Sequence, residues 1–554
     1  MKAALKRSAI RLMSLPPLFR TMNSVLNRAP VIFTLHRRAN PEHGVGGHDP
    51  AVLRKQLEFV LRNGYRAVTM DGIDAWVNGE DMDMTNTVAF TFDDGYRDQA
   101  ELIREVFLPL GVPASVFLIT GFIDGRIWPW DARISWLVHH ATPAANDLHL
   151  PATGLRARFE PDLAARRHLV HRLISHLQHR APDTLESAIG DLAKSLDMEI
   201  PAKPPECHAP LNWEDARALE NLGIRFGSHT QSHYIVSTLT PDQAQREILE
   251  AKDRLQVELA APLTVFAYPI GNRWDYSGRQ FKILADAGHS AAVTMNPGIV
   301  ARPEPGNAYG SLSIHRFGMP DDLEDFVQYI SWIERLKDRM RAVSPRTWVR
   351  KRYGSPRGMV NSLQADLDHR LGRLKVSDAV DWLKVRRLVF ICQGNVCRSP
   401  FAEAAAREHG IPAVSFGLKT NPGTRVNPIA SRMALELGVD MTEHTSHRFD
   451  PAQLRDGDLV LGMEPAHLAS AGADIDAKDV QWTLLGLQLR SSKVPYIADP
   501  YGSSDAYHRR CFGIIRTAME EVSGAWLRHH PRQTGDGNRT NRTPTVQTPA
   551  RADT

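Results

Sequence analysis

Short apolar runs separated by helical patterns dominate the first half of the chain. Between 31–36 and 87–92, the segment AVLRKQLEFVLRNG repeats its apolar residues at helical spacing. Because strands that alternate with helices pair in parallel, the series predicts an α/β domain with a barrel-like sheet. The runs expected to form its strands are 31–36, 87–92, 114–120, 224–229, 263–269 and 291–295.

The rest of the chain divides into further segments by the same criteria. Residues 155–200 carry apolar residues at helical spacing and few β-branched side chains, which predicts a helical insertion. A second α/β series opens at VRRLVFIC and ends in a helix near 506–528. The expected division is an N-terminal helical segment at 1–29, a barrel domain at 30–335, a connector at 336–385, a second domain at 386–530 and a disordered tail at 531–554.

Length and composition fit a soluble protein with at least two domains. The chain has 554 residues, of which 42% are hydrophobic and 23% charged, and a net charge of +4 gives no field that favours nucleic acid. The four cysteines are too scattered for a disulfide framework, so a reducing compartment and a cytoplasmic location are expected.

The N-terminus is basic, and its apolar stretches are short and interrupted by Lys6, Arg7 and Arg11, which makes a poor signal peptide. It could form an amphipathic helix against anionic lipid, although a capping helix on the first domain is the simpler interpretation. No run approaches the length of a transmembrane segment, so membrane contact would be peripheral.

The first candidate site combines an acidic pair with a histidine pair. Asp93 and Asp94 lie where the run TVAFTF ends, and carboxylates at the end of a barrel strand are well placed for chemistry. His229 and His233 are four residues apart, and a helical turn would put both imidazoles on one face. That pair suits a divalent metal completed by one carboxylate. Each signal is weak alone, since many Asp-Asp-Gly sequences are surface turns.

The combination resembles the NodB-homology polysaccharide deacetylases over roughly residues 30–320. The resemblance rests on TFDDGYRD, GVPASVFLITGFID, LNWEDARALENLGIRFGSHTQSH and FAYPIG. It implies a distorted (β/α) barrel, an N-acetylated carbohydrate substrate and a divalent metal, with zinc expected. It also implies that Asp93 is the general base and that Asp94, His229 and His233 are the metal ligands.

Some positions depart from the family. Many members carry an arginine shortly before the Pro-x-Gly turn, where this chain has Val265 to Tyr268, so Arg316 is a possible substitute as the partner that orients the base. His315 is a candidate leaving-group acid, although a buried structural histidine is a comparable interpretation. The backbone N–H of Ile270 could stabilise the tetrahedral oxyanion.

The second candidate site is the segment CQGNVCRSP, which follows the apolar run RLVFI and opens a helical pattern. The backbone N–H groups of such a loop surround a bound anion, and Arg398 can hold two phosphate oxygens. Cys392 is then the nucleophile. The simpler interpretation is a buried cysteine at a strand end with a chance arginine nearby.

This second unit, about 386–528, resembles the low-molecular-weight protein tyrosine phosphatases. Their loop pattern Cys-x-Gly-Asn-x-Cys-Arg-Ser-Pro is met at every fixed position, and the expected phosphate-binding residues are Gly394, Asn395, Val396, Cys397, Arg398 and Ser399. The resemblance implies a flavodoxin-like fold, a three-layer parallel sheet, and a phosphatase that needs no cofactor.

The family also suggests roles for individual residues. Ser399 would hydrogen-bond the thiolate, Asn395 would hold the loop, and Cys397 could form a reversible disulfide with Cys392. Asp499, in the Asp-Pro segment before the last helix, would be the general acid. The altered segments Ser415 to Leu418 and Met463-Glu464 are expected on the rim or in the core.

Two functions are compatible with the whole sequence. The first is a bifunctional hydrolase of bacterial surface-polysaccharide metabolism, which deacetylates a sugar precursor and dephosphorylates a tyrosine-phosphorylated protein such as a polysaccharide-assembly kinase. The second is a phosphatase with a non-catalytic, glycan-binding deacetylase-like module. Because base, ligands, nucleophile, arginine and acid are all present, we favour the first.

Overall fold

The computed structural model describes residues 10, 12–14, 16–142, 146–472 and 479–530. Its strands, in chain order, are β1 Val31–Leu35, β2 Arg66–Val68, β3 Thr87–Asp94, β4 Ser115–Leu118, β5 Asp147–Leu150, β6 Leu155–Arg158, β7 Arg225–Ser228, β8 Val265–Ala267, β9 Ala291–Val293, β10 Phe317–Gly318, β11 Arg387–Cys392, β12 Ala413–Gly417, β13 Asp458–Gly462 and β14 Gln481–Leu484.

The α-helices precede, separate and follow these strands, and some lie in the region that joins the two sheets. They are Pro16–Leu26, Pro50–Arg62, Met70–Val77, Arg97–Leu102, Thr120–Ile123, Trp130–His140, Leu163–Leu177, Pro182–Ser195, Trp213–Glu220, Pro241–Glu258, Gly278–Asp286, Leu323–Ile330, Trp332–Ala342, Pro345–Tyr353, Pro356–Arg370, Arg398–Glu408, Pro428–Glu436, Pro465–Ala471 and Asp505–His529. Within the described residues, none of them is long and apolar enough to cross a membrane.

The first sheet is a parallel, barrel-like sheet with the order β10-β1-β3-β4-β7-β8-β9, and β2 pairs with the first part of β3. The segment 314–318 closes it, because Ile314 bridges to Val293 of β9 and Phe317 pairs with Phe33 of β1. This is the distorted (β/α) barrel that the sequence predicted. Parallel strands bring their carboxyl ends to one end of the barrel, where side chains from different strands can meet.

The continuous apolar runs of the barrel strands are explained by burial of both strand faces. Every residue of β3 is buried, as expected for a parallel strand covered on both faces. Phe33 on β1 and Phe90 on β3 stack with ring centroids 6.1 Å apart. The short strands β2 and β10 were not predicted, since two or three residues carry no recognisable period.

The insertion differs from its prediction at its start. Residues 155–158 form β6, which pairs antiparallel with β5, instead of the first turn of a helix. In LRAR, two arginines alternate with two apolar residues, which is the two-residue period of a strand. The two helices Leu163–Leu177 and Pro182–Ser195 follow and share a separate apolar core.

The second sheet has the order β12-β11-β13-β14, and all its strands are parallel. Alternate residues of β11 enter different cores: Leu388 and Phe390 pack with the helices on one face, and Val389 and Ile391 pack on the other. The result is the predicted flavodoxin-like arrangement of three layers. The predicted connector region contains the helices Pro345–Tyr353 and Pro356–Arg370. The predicted disordered tail lies outside the described residues.

Two candidate active sites

The first candidate site lies at the carboxyl end of the barrel strands, where Asp94 ends β3 and His229 follows β7. Ligand atoms of Asp94, His229 and His233 lie within 4.8 Å of one another, and all three residues are buried. Nε2 of His229 and Nε2 of His233 are 3.5 and 3.3 Å from Oδ1 of Asp94. Three protein ligands of this chemistry are typical of open catalytic zinc sites, so the residues fit a divalent cation.

Hydrogen bonds fix the tautomers of both imidazoles. Nδ1 of His229 lies 2.8 Å from the carbonyl oxygen of Ala267, and Nδ1 of His233 lies 3.2 Å from Oδ1 of Asp131. Because a carbonyl and a carboxylate only accept, Nδ1 carries the proton in each ring, and Nε2 faces Asp94. Burial alone would lower the pKa of His233, but the charge of Asp131 outweighs it and raises that pKa to about 9, so a cation that binds Nε2 would displace the second proton that this ring carries at neutral pH.

The loop that joins the two histidines is not the helical turn that the sequence predicted. Thr230 and His233 have φ values of +67° and +63°, in the left-handed region. Glu247 holds the loop by accepting the backbone N–H groups of Gln231 and Ser232 at 3.0 and 2.8 Å. Left-handed backbone at residues other than glycine costs about 1–3 kcal/mol each and is concentrated at functional sites. The histidines therefore meet through a strained, externally supported loop.

Asp93 is held by an arginine from the segment that closes the barrel. Nη1 and Nη2 of Arg316 donate to Oδ1 and Oδ2 of Asp93 at 2.8 and 2.7 Å, and both side chains are almost completely buried. Nε of Arg316 donates to the carbonyl of Thr294 at 3.1 Å. Arg316 therefore holds the carboxylate of Asp93 in one orientation, although no arginine precedes the Pro-x-Gly turn.

The two neighbouring carboxylates have different electrostatic partners. Burial alone would raise the pKa of Asp93, but the guanidinium of Arg316 holds that pKa below its ordinary value. Burial also opposes ionisation of Asp94, but the imidazoles of His229 and His233 outweigh it and hold the pKa of Asp94 well below its usual range. Both groups are therefore carboxylates at neutral pH, one paired with an arginine and one facing imidazoles.

His315 is not brought to the metal ligands. It follows Ile314 in the barrel-closing segment, where successive side chains alternate in direction, so His315 and Arg316 face opposite sides. His315 is exposed and lines a cavity of about 530 Å³ together with Glu436 and Arg509 of the second half. This placement does not support its predicted role as leaving-group acid.

The sequence interpretation missed His36. This residue directly follows β1, whose Leu35 pairs with Phe92 of β3, so His36 lies next to Asp93 at the same end of the sheet. The charge of His36 is among the interactions that lower the pKa of Asp93 and of Asp94. The available signal was a polar residue at the carboxyl end of an apolar strand, which is the same signal that pointed to Asp93.

The second candidate site lies between a strand and a helix of the second sheet domain: Cys392 ends β11, and Arg398 begins the helix Arg398–Glu408. Sγ of Cys392 accepts the backbone N–H of Asn395 at 3.2 Å and lies 3.0 Å from the hydroxyl of Ser399. The N–H of Asn395 therefore donates to the sulfur, and the hydroxyl of Ser399 is within reach to donate to it when the sulfur is a thiolate.

Asn395 organises this loop. Its φ of +52° lies in the left-handed region, which asparagine tolerates better than most residues. Its Nδ2 donates to the hydroxyls of Ser399 and Ser415 at 2.9 and 2.7 Å, and its Oδ1 accepts the N–H of His447 at 2.8 Å. The loop is therefore held in shape by bonds to neighbouring segments.

Arg398 is buried among oxygen acceptors. Its Nη1 donates to Glu464 and, at 2.8 Å, to the carbonyl of Ile497, and its Nη2 lies 3.1 Å from Oδ2 of Asp499. Its Nε is buried and has no hydrogen-bond partner among the described residues, so this N–H remains available to an anion. Glu464, which was expected on the rim or in the core, contacts the arginine of the site from outside the loop.

Burial and nearby charge set the protonation of this site. Burial alone would lower the pKa of Arg398, but the carboxylates of Asp499 and Glu464 raise it above its ordinary value. Burial raises the pKa of the Cys397 thiol well above its ordinary value, and nearby Asp499 acts in the same direction. Cys397 is therefore a neutral thiol, and it is not in a disulfide.

Two family models match separate parts of the chain. Residues 178–292 match the model described as polysaccharide deacetylase, and residues 387–532 match the model described as low molecular weight phosphotyrosine protein phosphatase. Both families consist of hydrolases, one acting on C–N bonds and one on phosphoric monoesters.

Individual relatives and solved structures are each similar to one part of the chain. The low molecular weight protein-tyrosine-phosphatase Etp of Escherichia coli K12 is 28% identical over 25% of this chain and 93% of its own length. AmsI of Erwinia amylovora, described as a probable enzyme of the same type, is 30% identical over 26% of this chain and 99% of its own length. The Streptococcus pyogenes deacetylase PplD, whose structure contains acetate, is 16% identical over 55% of this chain and 98% of its own, with a TM-score of 0.35. The chain belongs to the low-molecular-weight protein-tyrosine-phosphatase family through its C-terminal part, which is fused to an N-terminal polysaccharide deacetylase domain.

Proposed function

We propose that this protein is a bifunctional hydrolase with two working active sites. Residues 30–335 remove the acetyl group from an N-acetylated sugar or polysaccharide precursor, and residues 386–530 hydrolyse phosphotyrosine. The observation that carries the proposal is that each site has a complete set of groups in contact. Asp94 meets two histidines beside an Arg316-bound Asp93, and Arg398 lies between Asp499 and the loop of Cys392.

In the deacetylase site, Asp94, His229 and His233 would hold a divalent cation, for which we propose zinc. When bound, the cation supplies positive charge that activates a water and polarises the acetyl carbonyl. Asp93 takes the proton of the attacking water while Arg316 holds its carboxylate in one orientation.

The remaining steps use the backbone and the same carboxylate. Ile270 has a φ of +59°, which is unusual for a β-branched residue and supports a functional role for this turn. Its N–H would donate to the oxyanion of the tetrahedral intermediate. When the C–N bond breaks, the proton held by Asp93 is available to the departing amine nitrogen, so the products are acetate and a free amine.

Metal content and acetate release together test this site. In His229→Ala, both should fall sharply because one ligand is lost. In Asp93→Asn, acetate release should be lost while the metal content stays equal to that of the wild type, because Asp93 pairs with Arg316 and not with the ligands. His168→Ala, on an exposed histidine, is the control. Metal loss in Asp93→Asn would mean that the roles of the two carboxylates are reversed.

In the phosphatase site, Sγ of Cys392 attacks phosphorus, and the S–P bond forms as the P–O bond to the aryl group breaks. The loop N–H groups and Arg398 stabilise the charge on the equatorial oxygens. Asp499 gives its proton to the departing phenolate. A water then attacks the cysteinyl-phosphate, passes its proton to Asp499, and releases inorganic phosphate and the thiolate.

Aryl phosphates test this mechanism. Cys392→Ser should abolish turnover, while Cys207→Ser, in the other half of the chain, should not change it. Asp499→Asn should slow the reaction most for poor leaving groups, because these need protonation. Peroxide should inactivate the enzyme reversibly through a Cys392–Cys397 disulfide. Full activity in Cys392→Ser would refute the mechanism.

The combination of activities supports a place in bacterial surface-polysaccharide metabolism. A thiolate nucleophile requires a reducing compartment, so we propose a cytoplasmic enzyme whose protein substrate is tyrosine-phosphorylated, such as a polysaccharide-assembly kinase. The alternative of a non-catalytic glycan-binding module is less well supported, because a binding module would not need Asp93 to be clamped by a buried Arg316.

A further inference from the structure

The loop at residues 272–277, hereafter the bridging loop, belongs to the deacetylase domain and contacts the phosphatase domain. It follows the Pro269 turn of the deacetylase site and precedes the helix Gly278–Asp286. Trp274 in this loop packs against the apolar core of the phosphatase domain. The loop therefore belongs to one domain in sequence and touches the core of the other.

The bridging loop is held in a fixed shape by its own domain. Asp275 is completely buried, accepts the backbone N–H of Asn272 at 2.7 Å, and lies 2.8 Å from Nε2 of His179. At the end of the loop, Ser277 and Gln280 form a capping box at the start of the next helix. A loop with these internal bonds can support another segment without rearranging.

The phosphatase domain grips this loop through a buried arginine. Arg432 is 2% exposed, and its Nη1 donates to the carbonyls of Arg273 and Tyr276 at 2.8 and 2.7 Å. Its guanidinium also lies 4.1 Å from the centroid of the Tyr276 ring. Gly278 permits this approach, since a Cβ there would lie 2.8 Å from the hydroxyl of Ser431.

The bridging loop in turn holds the segment that carries the phosphatase acid. Nη2 of Arg273 donates to the carbonyl of Ser503 at 2.9 Å and to Oδ1 of Asp505 at 2.6 Å. The ring of Trp274 lies 6.3 Å from the ring of Tyr501, centroid to centroid. These contacts fall on both sides of Gly502, within six residues of Asp499.

The acid segment, 499–503, needs such support. The side chain of Asp499 is 42% exposed. Its carboxylate forms an ion pair with Arg398 and accepts the backbone N–H of Tyr501 at 3.2 Å. Within the segment, the hydroxyl of Ser503 donates to the carbonyl of Pro500 at 2.6 Å. An exposed turn with short-range bonds relies on neighbouring structure for its position.

We propose that Arg273 and Trp274, from the deacetylase domain, are positioning residues for the general acid of the phosphatase. The inference rests on the proposed role of Asp499. A general acid acts only within hydrogen-bond reach of the leaving oxygen, and small displacements reduce the rate steeply. By holding Ser503, Asp505 and Tyr501, the bridging loop keeps Asp499 within that reach.

The test compares aryl phosphates with good and poor leaving groups in the full-length protein. Values of kcat/KM for 2,4-dinitrophenyl phosphate and for phenyl phosphate are measured in Arg273→Gln and in Trp274→Ala. Asp499→Asn serves as the reference, and Lys282→Gln as the control. Lys282 forms an ion pair with Asp440 across the same interface at 2.8 Å, away from the acid segment.

Arg273→Gln and Trp274→Ala should each lower kcat/KM for phenyl phosphate by about tenfold and leave dinitrophenyl phosphate nearly unchanged. Arg273→Lys should recover part of the loss, and Lys282→Gln should match the wild type. Equal losses on both substrates, or no loss, would overturn the inference while leaving the mechanism intact. If Asp499→Asn itself shows no dependence on the leaving group, the acid assignment fails, and the positioning role fails with it.

Discussion

Asp93 and Asp94 are adjacent in sequence and have different partners. Arg316 holds both oxygens of Asp93, while Asp94 faces the Nε2 atoms of His229 and His233. Because a bidentate arginine occupies both oxygens of Asp93, that carboxylate is poorly placed to be a metal ligand. The division of roles therefore follows from the position of a single buried arginine.

Replacing Arg316 should lower the free energy of unfolding by an amount that depends on pH. In Arg316→Gln, Asp93 is left buried without its partner, so the free energy of unfolding at pH 7 should fall by about 3–5 kcal/mol. The folded-state pKa of Asp93 lies below its ordinary value. Its contribution is therefore complete above the unfolded pKa, roughly 4, and is lost as the pH falls through the folded pKa.

Urea unfolding of Arg316→Gln at neutral and acid pH measures this difference. The gap between wild type and variant should be largest at pH 7 and should shrink below roughly pH 4. Arg225→Gln, whose partner Asp71 is largely exposed, should cost less than about 1 kcal/mol. A similar, small loss in both variants would contradict the proposed importance of the buried pair.

At the scale of residues, the sequence predicted which residue types form the site better than which way their side chains point. Asp93, Asp94, His229 and His233 carry a recognisable pattern, and the structure brings Asp94, His229 and His233 together beside Asp93. His315 and Arg316 are neighbours in sequence, but successive side chains of this segment alternate in direction, so only Arg316 faces the site. Which of two neighbours points inward depends on how 314–318 closes the barrel, and that is a tertiary property.

At the scale of elements, both sites are built where a parallel strand ends. The loop of Cys392 follows β11, and the loop of His229 follows β7. The longer runs predicted these strands well because they are buried on both faces. The helical turn expected between His229 and His233 was wrong, since their spacing of four residues arises here from a left-handed loop that Glu247 supports.

The phosphatase loop should depend on Asn395 for its shape. Asn395→Ala removes hydrogen bonds to Ser399, Ser415 and His447, so the free energy of unfolding should fall by about 1–3 kcal/mol. Aryl phosphatase activity should fall at least about tenfold because the donors around phosphate are displaced. Acetate release, at the other site, should not change.

Asn421→Ala, at an exposed position, provides the control for this variant. Phosphatase assays and thermal unfolding should therefore distinguish Asn395→Ala, which should lose activity and stability, from Asn421→Ala, which should match the wild type. Normal phosphatase activity in Asn395→Ala would show that the loop keeps its shape without these bonds.

For the whole molecule, the sequence suggested two halves joined by a connector at 336–385, each able to fold alone. Each half has its own sheet and core, which agrees with that expectation. The contacts of Arg432 and Trp274 between the halves were not predictable, because neither residue belongs to a motif. A domain interface depends on surfaces that only the folded units define.

Residues 380–530 expressed alone test this view. The fragment should fold, as judged by circular dichroism, because both faces of its sheet are covered by its own helices. It should hydrolyse dinitrophenyl phosphate normally and phenyl phosphate about tenfold more slowly than the full-length protein, because the bridging loop is missing. An unfolded fragment would contradict the division at the connector.

The central claim is that one chain carries two independent hydrolytic sites. The most direct measurement follows acetate release and aryl phosphate hydrolysis in three full-length proteins, the wild type, His229→Ala and Cys392→Ser, with and without a metal chelator. We expect His229→Ala and the chelator to abolish only acetate release, and Cys392→Ser to abolish only phosphatase activity. Loss of both activities in either variant, or acetate release that persists in His229→Ala, would contradict the account.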